Sequence, residues 1–111
     1  MASQSIPVEG GLYIIRSGSG FGIVKVLRLE DEVVHLRVYK NKYAAVPAKV
    51  NPTTLTLGTI HDKDGFGVGH QPTRLKTFLS WKPQFLQHSL VEPEELDGYE
   101  YWKAAGGGVW G

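Results

Sequence analysis

The sequence predicts a mainly β domain of the α+β class. The expected form is a small, partly open barrel of four or five antiparallel strands, with a short helix near 74–80 and a C-terminal helix near 93–105. Three observations carry this. Apolar and polar residues alternate from Leu12 to Tyr43 in three runs separated by turn formers, the pattern of an antiparallel meander. After Pro72, and again after Pro93, the apolar spacing becomes helical. A chain of 111 residues, 41% hydrophobic and 21% charged, has the size and balance of one globular core.

Residues 1–8 read as a loose leader closed by Pro7, 9–105 as the single domain, and 106–111 as a glycine-rich tail. Leu12–Ser17 is a first strand rich in β-formers, and Gly18-Ser19-Gly20 makes the turn. Phe21–Leu29 follows, apolar on both faces from Ile23 to Val26. Such a strand is central or covered on both sides, and a bulge near Lys25 would repair its imperfect alternation. Beyond the turn Glu30-Asp31-Glu32, the run Val33–Tyr39 alternates cleanly. Side chains on a strand have period two, so Val34, Leu36 and Val38 face the core while His35, Arg37 and Tyr39 face outward.

Thr54–Leu57 is a short strand with its leucines inward, extending toward Ile60, and His61–His70 is a polar, glycine-rich loop. Leu75, Phe78 and Leu79 then recur at i, i+3 and i+4, with Thr73 as the capping oxygen and Lys82-Pro83 as the stop. Gln84–Leu90 is the last strand. Pro93 opens the C-terminal helix, Glu94 and Glu95 sit at its positive end, and Gly106 terminates it. Inside that helix Gly98 costs about 1 kcal/mol relative to alanine, but it lets the helix backbone approach the sheet closely.

The tightly coupled meander at 12–43 resembles small barrels of the SH3 or Tudor kind. The pattern Trp81-x-Pro83-x-Phe85, followed by Glu94-Glu95-Leu96-x-Gly98-Tyr99-x-x-Trp102-Lys103, is similar to small bacterial proteins of unassigned function. Neither resemblance carries a site.

Composition excludes several classes. With no cysteine there is no disulfide scaffold, thiol nucleophile or cysteine-based metal site. Net charge is +1, with seven Lys/Arg against four Asp/Glu in residues 1–60 and five against seven in 61–111. The clustered basic face of a nucleic-acid binder is missing, and only a weak nucleic-acid reading remains, through Arg16, Lys25, Arg28, Arg37, Lys40 and Lys42, with binding that falls steeply with salt. No apolar run is long enough to cross a bilayer. Met-Ala-Ser-Gln-Ser lacks the regions of a signal peptide, which leaves the cytoplasm as the expected location.

The remaining motifs are weak. Gly20-Phe21-Gly22 and Gly65-Phe66-Gly67 lack the Gly-Lys-Ser/Thr ending or the following helix that a phosphate loop needs, so turns with an inserted phenylalanine explain them better. Asp62-x-Asp64-Gly65 places its glycine too early for a calcium loop, and aspartate-stabilised turns suffice. Glu94 and Glu95 diverge by about 100° around a helix and do not share a substrate. None of the serines has a nucleophile-elbow context.

The leading expectation is thus a non-enzymatic interaction domain without a cofactor, binding a peptide or protein through an aromatic and basic surface. Its candidate residues are Arg37, Tyr39, Tyr43 and Phe66. An alternative is a metal-dependent protein or small enzyme using His61, Asp62, Asp64 and His70, which bracket one loop. A third is self-association into a homodimer that buries the aromatics.

Overall fold

The computed structural model describes residues 7–59, 61–62 and 67–107. Strands β1 (Gly11–Ser17), β2 (Gly20–Glu30) and β3 (Val33–Tyr43) form the expected meander. Two-residue turns join them, with Ser17 opposite Gly20 and Glu30 opposite Val33. Gly18 supplies the left-handed backbone of the first turn at φ +58. In the second turn Asp31 (φ +52) and Glu32 (φ +63) adopt that conformation without glycine. There the Leu75 N–H donates to the Glu32 carbonyl at 2.8 Å, tying the turn to helix α1 (Leu75–Ser80).

The later elements depart from the sequence reading in three places. Thr54–Leu57 is not a strand: Pro52–Thr54 is a 3-10 turn capped by Asn51, which accepts from the Thr53 N–H. An irregular segment follows, keeping Leu55 and Leu57 packed inward, while Ile60 lies outside the described residues. The extra strand comes instead from β4 (Val68–Arg74), placed along β3 with Pro72 opposite His35. Proline donates no ladder hydrogen bond, so it is tolerated on such an edge strand. Finally, Thr73 does not cap α1. Arg74 occupies that position with no side-chain bond, and Thr73 is buried with its hydroxyl 3.4 Å from the Gln71 carbonyl.

Strand β5 (Gln84–His88) precedes a 3-10 turn at Pro93–Leu96, which runs into helix α2 (Asp97–Ala104). The sheet is antiparallel throughout, in the order β4-β3-β2-β1-β5. Its two edges do not pair with each other, so it stays open. Between β2 and β3 two register shifts bend it, one at Leu27, just past Lys25, and one where Tyr39, Lys40 and Asn41 oppose Ile23.

Both faces of the sheet are covered. On one, Tyr13, Val24, Val26, Val34 and Leu36 pack against Phe78 of α1. On the other, Leu12, Ile14, Ile23 and Tyr39 pack under Val50, Leu55 and Leu57. The same face continues through Lys25 and His35, both buried. The side of β3 expected to face outward is therefore interior, because the C-terminal segment lies across it.

Candidate functional site

Of the expected site residues that the structure describes, Arg37, Tyr39 and Tyr43 do not gather on one open surface. Tyr39 is 7% exposed. Burial, reinforced by the Glu95 carboxylate, pushes its hydroxyl up to about 12. Arg37 Nε lies 3.6 Å from Glu95 Oε2, while Lys25 Nζ is 2.9 Å from Glu95 Oε1 and 2.7 Å from the Leu90 carbonyl. In the hollow here, about 270 Å3 between Lys25, Tyr39, Thr53 and Glu95, Lys25 and Glu95 are thus paired with each other. Tyr43 sits at the far end of β3 opposite Phe21. Phe66 lies outside the described residues, as does Asp64.

The described residues of the alternative loop set, His61, Asp62 and His70, have different surroundings. His61 is exposed. Asp62 accepts from Lys40 Nζ at 2.9 Å and from the Thr59 N–H at 3.0 Å. Those bonds hold its carboxyl below the usual range and make it a turn-forming aspartate. His70 stands on β4 with its ring nearly parallel to that of His35 and joined to it edge to edge, centroids 5.1 Å apart. Among the described residues, no three His, Asp or Glu side chains are grouped to hold a metal.

Two features were not anticipated. The first is the His35–His70 pair itself, roofed by Tyr99 and Trp102 of α2. Thirty-five residues separate the two histidines, and the local hint was Gly98 beside two aromatic residues. The second is a groove of about 310 Å3 lined by Ile15, Arg16, Phe21, Trp81, Lys82 and Gln84. Here the β1–β5 ladder ends at the pair Ile14–Gln84, although β1 runs on to Ser17. Pro83, the next residue in line, has no N–H to give, and Lys82 turns away with φ +54.

The edge of β1 over Ile15–Ser17 therefore has no strand beside it among the described residues. The Arg16 guanidinium lies 5.5 Å from the Phe21 ring centre. Trp81 is wedged edge-on against Phe78 at 5.7 Å, and neighbouring Phe85 is 51% exposed. Arg16 and Lys82 are the charged residues of this lining, and no carboxylate is among them. Lys-82-Pro83 directly after a helix is the signal by which the ladder's early end could have been foreseen.

No protein-family model, curated protein or solved structure matches this chain, so the arrangement is interpreted from its own geometry.

Proposed function

We propose that this protein is a non-enzymatic interaction domain that takes an extended, acidic peptide segment of another protein into the groove beside the open end of β1. The observation that carries the reading is the early stop of the β5 ladder, which leaves Ile15–Ser17 without a neighbour on one side. Unpaired strand edges recruit extended peptides through main-chain hydrogen bonds, and adjoining pockets select side chains. Phe21 and Trp81 offer apolar surfaces to one peptide side chain, and Arg16 and Lys82 favour a carboxylate next to it. The partner's charge follows from the lining, which carries cations and no anions.

The test uses a random peptide library selected on the full chain, followed by NMR titration of the enriched peptides. Acidic sequences should emerge and move the amide signals of Ile15, Arg16 and Ser17. Arg16→Glu, at an exposed position, should weaken that binding at least tenfold and leave the fold intact. Enrichment without charge preference, shifts elsewhere on the sheet, or pairing of this edge with a second copy would overturn the reading.

A further inference from the structure

Helix α2 is held to the sheet by four rings. His35 Nδ1 and His70 Nε2 are 2.8 Å apart, and their rings are nearly parallel, at 10°. Tyr99 and Trp102 stand edge-on to His35, with centroids at 4.7 and 4.5 Å. His35 is 0% exposed and Tyr99 1%. Gly98 brings the helix backbone against His70, where a Cβ would come within 2.6 Å of the histidine Cβ.

An N···N contact of 2.8 Å requires one nitrogen to carry the hydrogen and the other to be bare. With His70 donating to His35 Nδ1, the His35 proton sits on Nε2. That atom has no hydrogen-bonding partner among the described residues and belongs to a ring set T-shaped against both Tyr99 and Trp102. A first added proton charges a pair of which His35 is fully buried and His70 half-buried. A second sets two N–H groups against each other across the same contact.

The surrounding charges are mixed, so the opposition to protonation comes from burial and, at His35, from the second histidine. From β2, the Arg28 guanidinium lies 4.8 Å from the Tyr99 ring centre, and Glu30 accepts from the Tyr99 hydroxyl at 2.7 Å. From α2, Lys103 Nζ is 3.5 Å from that hydroxyl, while Asp97 and Glu100 are exposed. Glu95, on the preceding turn, is held by Lys25 and Arg37. At His35 the Glu30 carboxylate and the Arg28 guanidinium act in opposite directions, which leaves burial and the neighbouring histidine as the groups that disfavour its proton.

We propose that the His35–His70 pair is an acid-sensitive latch, whose protonation releases α2 from β3 and β4 and uncovers its aromatic face while the sheet stays folded. Burial lowers His35 to about 4 and also lowers His70. A histidine in the released helix state titrates near its ordinary 6.5. The closed form is therefore fully favoured above that value and loses its advantage as the pH falls toward 4. Glu30, itself lowered through Tyr99, weakens the latch only below its ordinary carboxyl range. This device is independent of the peptide groove.

The test is an NMR titration of the full chain from pH 7.5 to 4, following the histidine ring signals and, with intrinsic exchange rates corrected, the protection of backbone amides. Amides of residues 97–104 should lose protection over the pH range in which His35 titrates, while those of Tyr13, Val24 and Val26 keep theirs. The variant His35→Phe/His70→Phe keeps two flat rings without a proton site and should hold α2 closed to pH 4. Retention of α2 protection in the native chain at pH 4, simultaneous loss over the whole sheet, or opening of the variant at the native pH would overturn the proposal. Should the variant not fold, the native titration decides: coincident midpoints for His35 and α2 support the latch, and separated midpoints overturn it.

Discussion

Gly98 lies where α2 comes closest to β4, its virtual Cβ 2.6 Å from the His70 Cβ and 3.3 Å from the Cγ. Two opposing effects meet there. Alanine is the better helix former by about 1 kcal/mol, but its methyl would overlap an atom fixed directly to the β4 backbone. Overpacking of that kind costs roughly 1–3 kcal/mol, and a Cβ cannot swing aside as a chain end can. Gly98→Ala should therefore lower stability in urea denaturation by a net amount on the order of 1 kcal/mol. A gain would show that the helix shifts freely on the sheet. The sequence alone announced a close approach at this glycine, but not that histidine would be the neighbour.

At the scale of elements, the Pro93–Leu96 turn depends on one carboxylate with two tasks. Glu95 Oε1 accepts from the Glu92 N–H at 2.8 Å and from buried Lys25 at 2.9 Å. Removing Glu95 leaves a 3% exposed ammonium without a counter-ion and with only the Leu90 carbonyl and Ser89 hydroxyl beside it, a loss of up to about 3–5 kcal/mol. Removing Lys25 leaves Glu95 with Arg37 and its backbone bond. Glu95→Ala should thus lower the urea midpoint far more than Lys25→Met, and equal losses would mean that the pair contributes little. The elements also differ in how legible they were. The meander was readable because each of its strands carries its own alternation and each turn its own turn formers. β4 was not: Val68-Gly69-His70-Gln71-Pro72 has no strand pattern and becomes one by lying along β3.

For the molecule as a whole, the buried histidines set an acid limit. His35, lowered to about 4, contributes stability that is complete above 6.5 and lost as the pH falls from there toward 4. The span corresponds to about 3 kcal/mol. Urea denaturation at a series of pH values should show the native chain losing stability through this window. His35→Phe should flatten that part of the profile, and parallel profiles for the two proteins would contradict the assignment. This contribution is distinct from general acid denaturation, which begins lower, where carboxylates protonate.

By itself the sequence determined the three-stranded meander, the inward Val34-Leu36-Val38 row and both helices. These depend on periodicity, turn chemistry and proline placement, all properties of neighbouring residues. It named Arg37 and Tyr39 as chemically distinctive without showing that Glu95 would reach them. Tertiary structure alone decided that the second face of β3 is interior and that His35 meets His70. The reason is physical: each of these is a contact between segments far apart in the chain, set by which surfaces remain to be buried once the meander has formed.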